Sequence, residues 1–334
     1  MTDRLVLVLT SARLPPGLLT WPAWAALRAS PVFAGAESDQ VSAVRATGVD
    51  VTILAGSPAA QAQAFRQRAR PGGAAAWLAG PDGDPQLRAE VESLLAGSPA
   101  AELEVVQGSW DPPGARLLEA VAVMDRLRSP GGCPWDAEQT HRSLMPYLLE
   151  ESYEAYTALE EGDLDGLREE LGDVLLQVLF HARLAQELPG AEAWGVDEVA
   201  GELVDKLVRR HPHVFAGTTV SGSAEVLANW DQIKTAEKSR TSVTDGIALS
   251  QPALTLAATL LRRAEKVGIA VDTAGAETAD DGLAGDGLGR RLLRLVVEAR
   301  AGGQDAEVEL RRVARELRDA IVTAERGARG PAPG

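Results

Sequence analysis

The apolar residues between positions 164 and 187 constrain this chain more than any other feature of it. Leu167, Leu171, Val174, Leu175, Val178, Leu179 and Ala182 follow the i, i+4, i+7, i+8 rhythm that an α-helix gathers onto one side. That side must be buried, so the pattern predicts a helix with one apolar face inside a packed bundle. Gly162 ends a preceding helical pattern over 143–161, and Asp163 is suited to cap the helix that follows. The two segments, 143–161 and 164–187, are therefore expected to form an antiparallel hairpin closed by a short turn. Similar helical patterns cover 114–128, 196–210 and 223–238, which predicts an all-α helical-bundle domain over 112–240.

The flanking regions read differently, and 334 residues leave room for two or three domains. Short aliphatic runs at 4–10, 50–55, 74–79 and 102–106 alternate with helical segments such as 57–70, so residues 1–108 are expected to form a small α/β domain. No Gly-x-Gly-x-x-Gly, phosphate loop or catalytic cluster lies there. Beyond the bundle, a Ser/Thr-containing stretch at 239–250 precedes a helix at 254–267. A Gly/Asp/Ala-rich insert at 274–287 reads as a flexible loop, two further helices follow, and the tail after Arg326 is expected to fray. Residues 288–300 echo 171–183, with the Leu-Gly and Ala-Arg pairs in register. Residues 250–327 are therefore expected to be a degenerate second helical repeat. In that alignment Asp173 faces Arg290 and Glu170 faces Gly287, so the second copy has lost its acids.

The acids of the first copy are where chemistry is expected. Glu150, Glu151 and Glu154 fall on one side of their helix, within an arc of about 100°. Glu170 and Asp173 are i, i+3 neighbours beside the apolar stripe of the next. A hairpin brings four or five carboxylates to its seam, and their repulsion has to be offset. All-oxygen donors select hard cations such as Mg²⁺. A solvated acidic face is the alternative in a chain with 48 Asp and Glu and a formal net charge of −15. That charge repels nucleic acid and anionic membranes and argues against both as partners. A small polyanion remains compatible, given bound metal or a local basic cluster. The single cysteine, Cys133, permits no intrachain disulfide, which fits a cytoplasmic protein and equally a cysteine-poor secreted one. The apolar run at 5–9 is too short for a signal-peptide core or a membrane span, and no later stretch is long enough, so a cytoplasmic location is expected.

Residues from about 114 to 240 resemble the MazG family of nucleotide pyrophosphohydrolases, an all-α group marked by Glu-Glu-x-x-Glu on one helix and Glu-x-x-Asp on the next. The matching stretches are Cys-Pro-Trp-Asp-Ala-Glu-Gln-Thr-His at 133–141, Glu-Glu-Ser-Tyr-Glu at 150–154, Glu-Leu-Gly-Asp at 170–173, Asp-Lys-Leu-Val-Arg-Arg-His-Pro-His-Val-Phe at 205–215 and Asn-Trp-Asp-Gln-Ile-Lys at 229–234. The resemblance implies Mg²⁺-dependent hydrolysis of NTP or dNTP to monophosphate and pyrophosphate in nucleotide-pool housecleaning, with Mn²⁺ as the alternative ion. It implies Glu151, Glu154, Glu170 and Asp173 as metal ligands, with Glu150 beside them as candidate base. It further implies Lys206, Arg209 and Arg210 as phosphate contacts, Trp230 as a nucleotide contact, and a homodimer, with pairing by residues 254–326 of the same chain as the alternative.

The residues fit these roles. Lys206, Arg209 and Arg210 share a helix face at i, i+3, i+4, as a cationic clamp for a triphosphate requires, or as a solvated basic patch does. Trp230 and Lys234 are i, i+4 neighbours placed to meet one ligand. Trp135 is either a base-stacking surface or a packing anchor. His211 and His213 lack partners at zinc-ligand spacing and are expected in loop or capping roles, and His141 and His181 in structural ones. Two other readings stand beside the enzyme: a non-hydrolysing nucleotide-binding regulatory module, and a helical scaffold whose acidic seam is only surface. Among enzymes the nearest rival acts on phosphoribosyl-ATP, and the Trp-rich first repeat with its His-Pro-His segment favours the MazG resemblance.

Overall fold

A computed structural model describes residues 3–69, 73–96, 101–237, 242–271 and 287–328. The chain divides into two compact units, Met1–Val204 and Asp205–Gly334.

The first unit opens with a five-stranded parallel sheet in the order β3-β2-β4-β1-β5. Its strands are β1 (Asp3–Leu9), β2 (Val32–Ala34), β3 (Val51–Ile53), β4 (Ala74–Leu78) and β5 (Ala101–Gln107). Period-2 alternation makes β1 a two-sided strand. Leu5 and Leu7 enter one layer with Ala62 and Phe65 of helix α3 (Pro58–Arg68) and Leu87 and Val91 of α4 (Pro85–Leu95). Val6 and Val8 enter the other, with Ala23 and Leu27 of α1 (Trp21–Ala29) and Val41 and Val44 of α2 (Asp39–Ala46). The α/β expectation holds for this region. The three-residue strand β2 is the element that the sequence reading lacked, because so short a run shows no alternation. Trp77 is fully buried, and its indole Nε1 donates to Asp84 Oδ2 at 2.7 Å. Asp84 adopts a left-handed backbone (φ 49°) at the start of α4 and also accepts from the Gly80 amide at 3.1 Å.

Helices follow: α5 (Ala115–Arg128), α6 (Pro134–Glu138), α7 (His141–Glu161), α8 (Leu164–Ala185) and α9 (Val196–Arg210). Thr140 starts α7 with a reciprocal cap: its hydroxyl accepts from the Ser143 amide at 3.1 Å, and Ser143 Oγ accepts from the Thr140 amide at 2.9 Å. The turn to α8 is as expected. Gly162 is left-handed (φ 71°), and Asp163 Oδ1 accepts from the amides of Asp165 and Gly166 at 3.2 and 3.0 Å. Met124, Leu144, Leu179, Phe180 and Leu184 form the helical core. Arg128 fastens its end with two bonds to Glu187, at 2.7 and 2.9 Å.

The predicted stripe on α8 is buried only along part of its length. Leu179 and Ala182 are enclosed, whereas Leu171 is 53 % and Val178 37 % exposed. Periodicity identified the apolar face correctly, but one chain does not cover all of it.

In the second unit, α10 (Pro212–Phe215) and α11 (Ser223–Ala236) precede α12 (Ala253–Lys266), α13 (Leu288–Ala301) and α14 (Ala306–Ala328). The last three helices pack on one another. Val296 and Ala264 are buried, and Arg300 crosses from α13 to the Ala258 carbonyl at 3.0 Å and to Glu265 at 2.6 Å. The predicted loop at 274–287 lies outside the described residues except for Gly287, and helix α14 runs to Ala328. No helix among the described residues is long and apolar enough to cross a membrane.

Candidate functional site

The turn at Gly162 folds α8 back along α7, and the spacing of the acids does the rest. Glu151 and Glu154 lie one turn apart on α7, and Glu170 and Asp173 one turn apart on α8. Carboxylate oxygens of Glu151, Glu154 and Glu170 all lie within 4.8 Å of one another. Burial pushes the Glu151 carboxyl above its ordinary value, and the charges of Asp173 and Glu154, a hydrogen bond with Glu154, and the charge of Glu170 push it further. The Glu170 carboxyl is raised by burial, then by the charges of Glu154, Asp173 and Glu169 and a hydrogen bond with Glu154. Asp173 thus acts on both carboxyls without joining the closest trio. Glu150 is exposed and outside it. Its neighbour Glu151 faces the seam, whereas the wheel angle alone placed both acids on the same side of the helix.

Oxygens around an octahedral Mg²⁺ at about 2.1 Å stand roughly 3 to 4 Å apart. The trio is close to that spacing, all its donors are hard oxygens, and its mutual repulsion is the strain a divalent cation relieves. The donor set therefore fits Mg²⁺ or Mn²⁺.

The basic residues belong to the second unit. Lys206 is exposed on α9. Arg209 and Arg210 both bind Glu237, the residue that ends α11: Arg209 Nε donates at 2.7 Å and Arg210 Nη2 at 2.6 Å. These bonds hold the Glu237 carboxyl down at about 2. Trp230 is partly exposed, with its ring 6.2 Å from that of His211, and Lys234 follows one turn later on α11. His211 stands at the N-cap position of the short helix α10 without a side-chain capping bond, and its Nδ1 lies 2.7 Å from the Leu207 carbonyl. In the first unit, Trp135 is half exposed and meets Tyr147 and Phe180 edge-on at 6.3 and 6.4 Å, as a packing anchor does.

Sequence reasoning missed two groups. Glu237 stands seven residues after Trp230, on the same helical face, and that spacing was the available signal. Gln177 is buried on α8, one turn beyond Asp173. His141 and His181 stack with rings 5.1 Å apart and their Nδ1 atoms at 2.8 Å. This contact between helices is consistent with the structural role expected of them.

Residues 139–215 match the MazG nucleotide pyrophosphohydrolase domain. An uncharacterized 26.1 kDa protein of Streptomyces cacaoi is 50 % identical over 248 residues, covering 73 % of this chain and 98 % of that protein. The nucleoside triphosphate pyrophosphohydrolase of Mycobacterium tuberculosis is 45 % identical over 186 residues, 56 % of this chain and 54 % of the relative. Its namesake in Escherichia coli K12 is 46 % identical over 164 residues, 48 % of this chain and 60 % of the relative. The chain thus spans between half and two thirds of the length of these two enzymes. Both the matched domain and the acidic hairpin fall in the same stretch, and the chain belongs to the MazG nucleotide pyrophosphohydrolase family.

Proposed function

We propose that this protein hydrolyses nucleoside triphosphates, ribo- or deoxyribo-, to the monophosphate and pyrophosphate, as a cytoplasmic homodimer that clears surplus or damaged nucleotides. The observation that carries the reading is the convergence of Glu151, Glu154 and Glu170 within 4.8 Å across the α7–α8 hairpin. Three acids crowd together there at a cost in repulsion that folding alone does not reward. The names of the relatives supply the substrate class.

In this reading Glu151, Glu154, Glu170 and Asp173 hold Mg²⁺. When bound, the ion supplies charge neutralisation at the phosphate oxygens and acidifies a coordinated water. Water attacks the α-phosphorus, the bond from that phosphorus to the bridging oxygen breaks, and pyrophosphate leaves. Glu150, next to the trio and in solvent, is the candidate to take the proton of the attacking water. Lys206 and Arg209 neutralise the departing pyrophosphate, while Trp230 and Lys234 meet the nucleotide. The helices over 250–327 are a diverged repeat that lacks the acids, and residues 1–108 a separate α/β domain.

A panel of triphosphates assayed for pyrophosphate release with Mg²⁺ tests this. Glu154→Gln should lower turnover on the order of 10²-fold or more, the scale of removing one preorganised electrostatic group, while the protein stays folded. Pyrophosphate release by E154Q at the native rate removes Glu154 from the proposed site, and none from the native chain on any triphosphate rules the enzyme out and leaves the non-hydrolysing module.

A further inference from the structure

Arg209, Arg210 and Glu237 close on one another where α9 and α11 end. Arg209 Nε donates to Glu237 Oε1 at 2.7 Å, and Arg210 donates to Oε2 from Nη2 at 2.6 Å and from Nε at 3.1 Å. Both oxygens of one carboxylate are thus set against two guanidinium groups, the arrangement a phosphate would adopt on the same side chains. The members differ in access. The side chains of Arg210 and Glu237 are 12 % and 15 % exposed, and that of Arg209 is 55 % exposed. Lys206, on the same helix, has no ion-pair partner among the described residues.

On the reading that Lys206, Arg209 and Arg210 contact phosphate, we propose that Glu237 is a built-in competitor for the substrate's phosphates: it occupies the arginines in the free protein and yields Arg209, the exposed one, when a triphosphate arrives. Arg210 keeps its two-bond hold, so the exchange replaces a single N–H···O contact and leaves the α9–α11 junction intact. Held at about 2, the Glu237 carboxyl stays charged across the physiological range, so the competition is always present. An internal competitor lowers apparent affinity by the fraction of clamp it occupies. Three clustered phosphates overcome that occupancy better than two do. The device therefore favours binding of the triphosphate and release of the pyrophosphate.

The test is Glu237→Gln, read by the KM for a triphosphate and by calorimetric binding of inorganic tripolyphosphate without divalent cations. KM and the tripolyphosphate Kd should both fall by about 2- to 5-fold, the scale of one exposed ion pair, and inhibition by pyrophosphate should strengthen. A folded E237Q with unchanged or raised KM means that Glu237 holds the arginines in position, and overturns the proposal. If E237Q does not fold, E237D carries the test through its shorter reach: a smaller fall in KM supports the competitor and no fall overturns it. Arg209→Ala in the native background separates the two claims. If that variant leaves KM and tripolyphosphate binding unchanged, the phosphate-clamp reading has failed, whatever E237Q does.

Discussion

Asp84 does two jobs with one carboxylate. It accepts from the buried Trp77 indole and from the Gly80 amide while its own backbone sits at φ 49°. An unpaired N–H beside a fully enclosed Trp77 costs about 1–3 kcal/mol, so Asp84→Ala should destabilise the protein by that amount in urea unfolding. Asp84→Asn keeps an acceptor and tolerates the left-handed backbone, and should lose less than half as much. Equal losses for the two variants would mean that the hydrogen bond is not what Asp84 contributes. Residues of this kind are hard to read in a sequence, since the partner is fixed only once β4 and α4 are folded. The clustered acids of α7 and α8 were easier. Their i, i+3 spacing gives their angle on the helix directly. The angle alone did not separate Glu150 from Glu151, because which acid faces the seam depends on how α7 is rotated against α8. Glu237 escaped notice because its partners lie on a different helix.

At the scale of elements, the α7–α8 hairpin sets up a pH dependence. Unfolded, the Glu151 and Glu170 carboxyls titrate near the ordinary 4.5, and in the fold both are raised. Above that ordinary value the native chain holds protons that the unfolded chain releases. Stability of the metal-free protein therefore falls as pH rises through the folded-state values, and the penalty is absent below about 4.5. Divalent cations should cancel it, so Mg²⁺ should raise the Tm more at pH 8 than at pH 5. Equal shifts at the two values would mean that the acids do not bind jointly. The hairpin itself was legible because its signals are local: a glycine to stop one helix, an aspartate to start the next, and apolar residues at helical spacing. The strand β2 was not, since Val32–Ala34 is recognisable only through the neighbours it pairs with. The exposure of Leu171 and Val178 could not be read either, for periodicity reports which side is apolar and not what covers it.

At the scale of the whole molecule, uncovered apolar side chains support the homodimer. Met145, Leu149, Leu171 and Val178 lie open on α7 and α8 of a single chain, on the same hairpin as the acids. Patches of this kind mark surfaces that another protein covers. Light scattering on the purified protein should give twice the chain mass, and Leu171→Glu combined with Val178→Glu should shift it to the single-chain value with loss of pyrophosphate release. A native protein that runs at the single-chain mass, with full activity, would remove the dimer from the proposal. The parallel sheet at the N-terminal end needs no such partner, since β1 is covered on both faces by its own helices.

All the clustered oxygens come from the stretch between Glu151 and Asp173, which doubles back once at Gly162. Bringing them together closes only a short loop, and contacts so near in the chain form early and fast. During synthesis this stretch is finished before α9 to α14 have been made. A divalent ion captured by it then would bias the nascent chain toward the right helix pairing, making the ion a template for folding as well as a reagent.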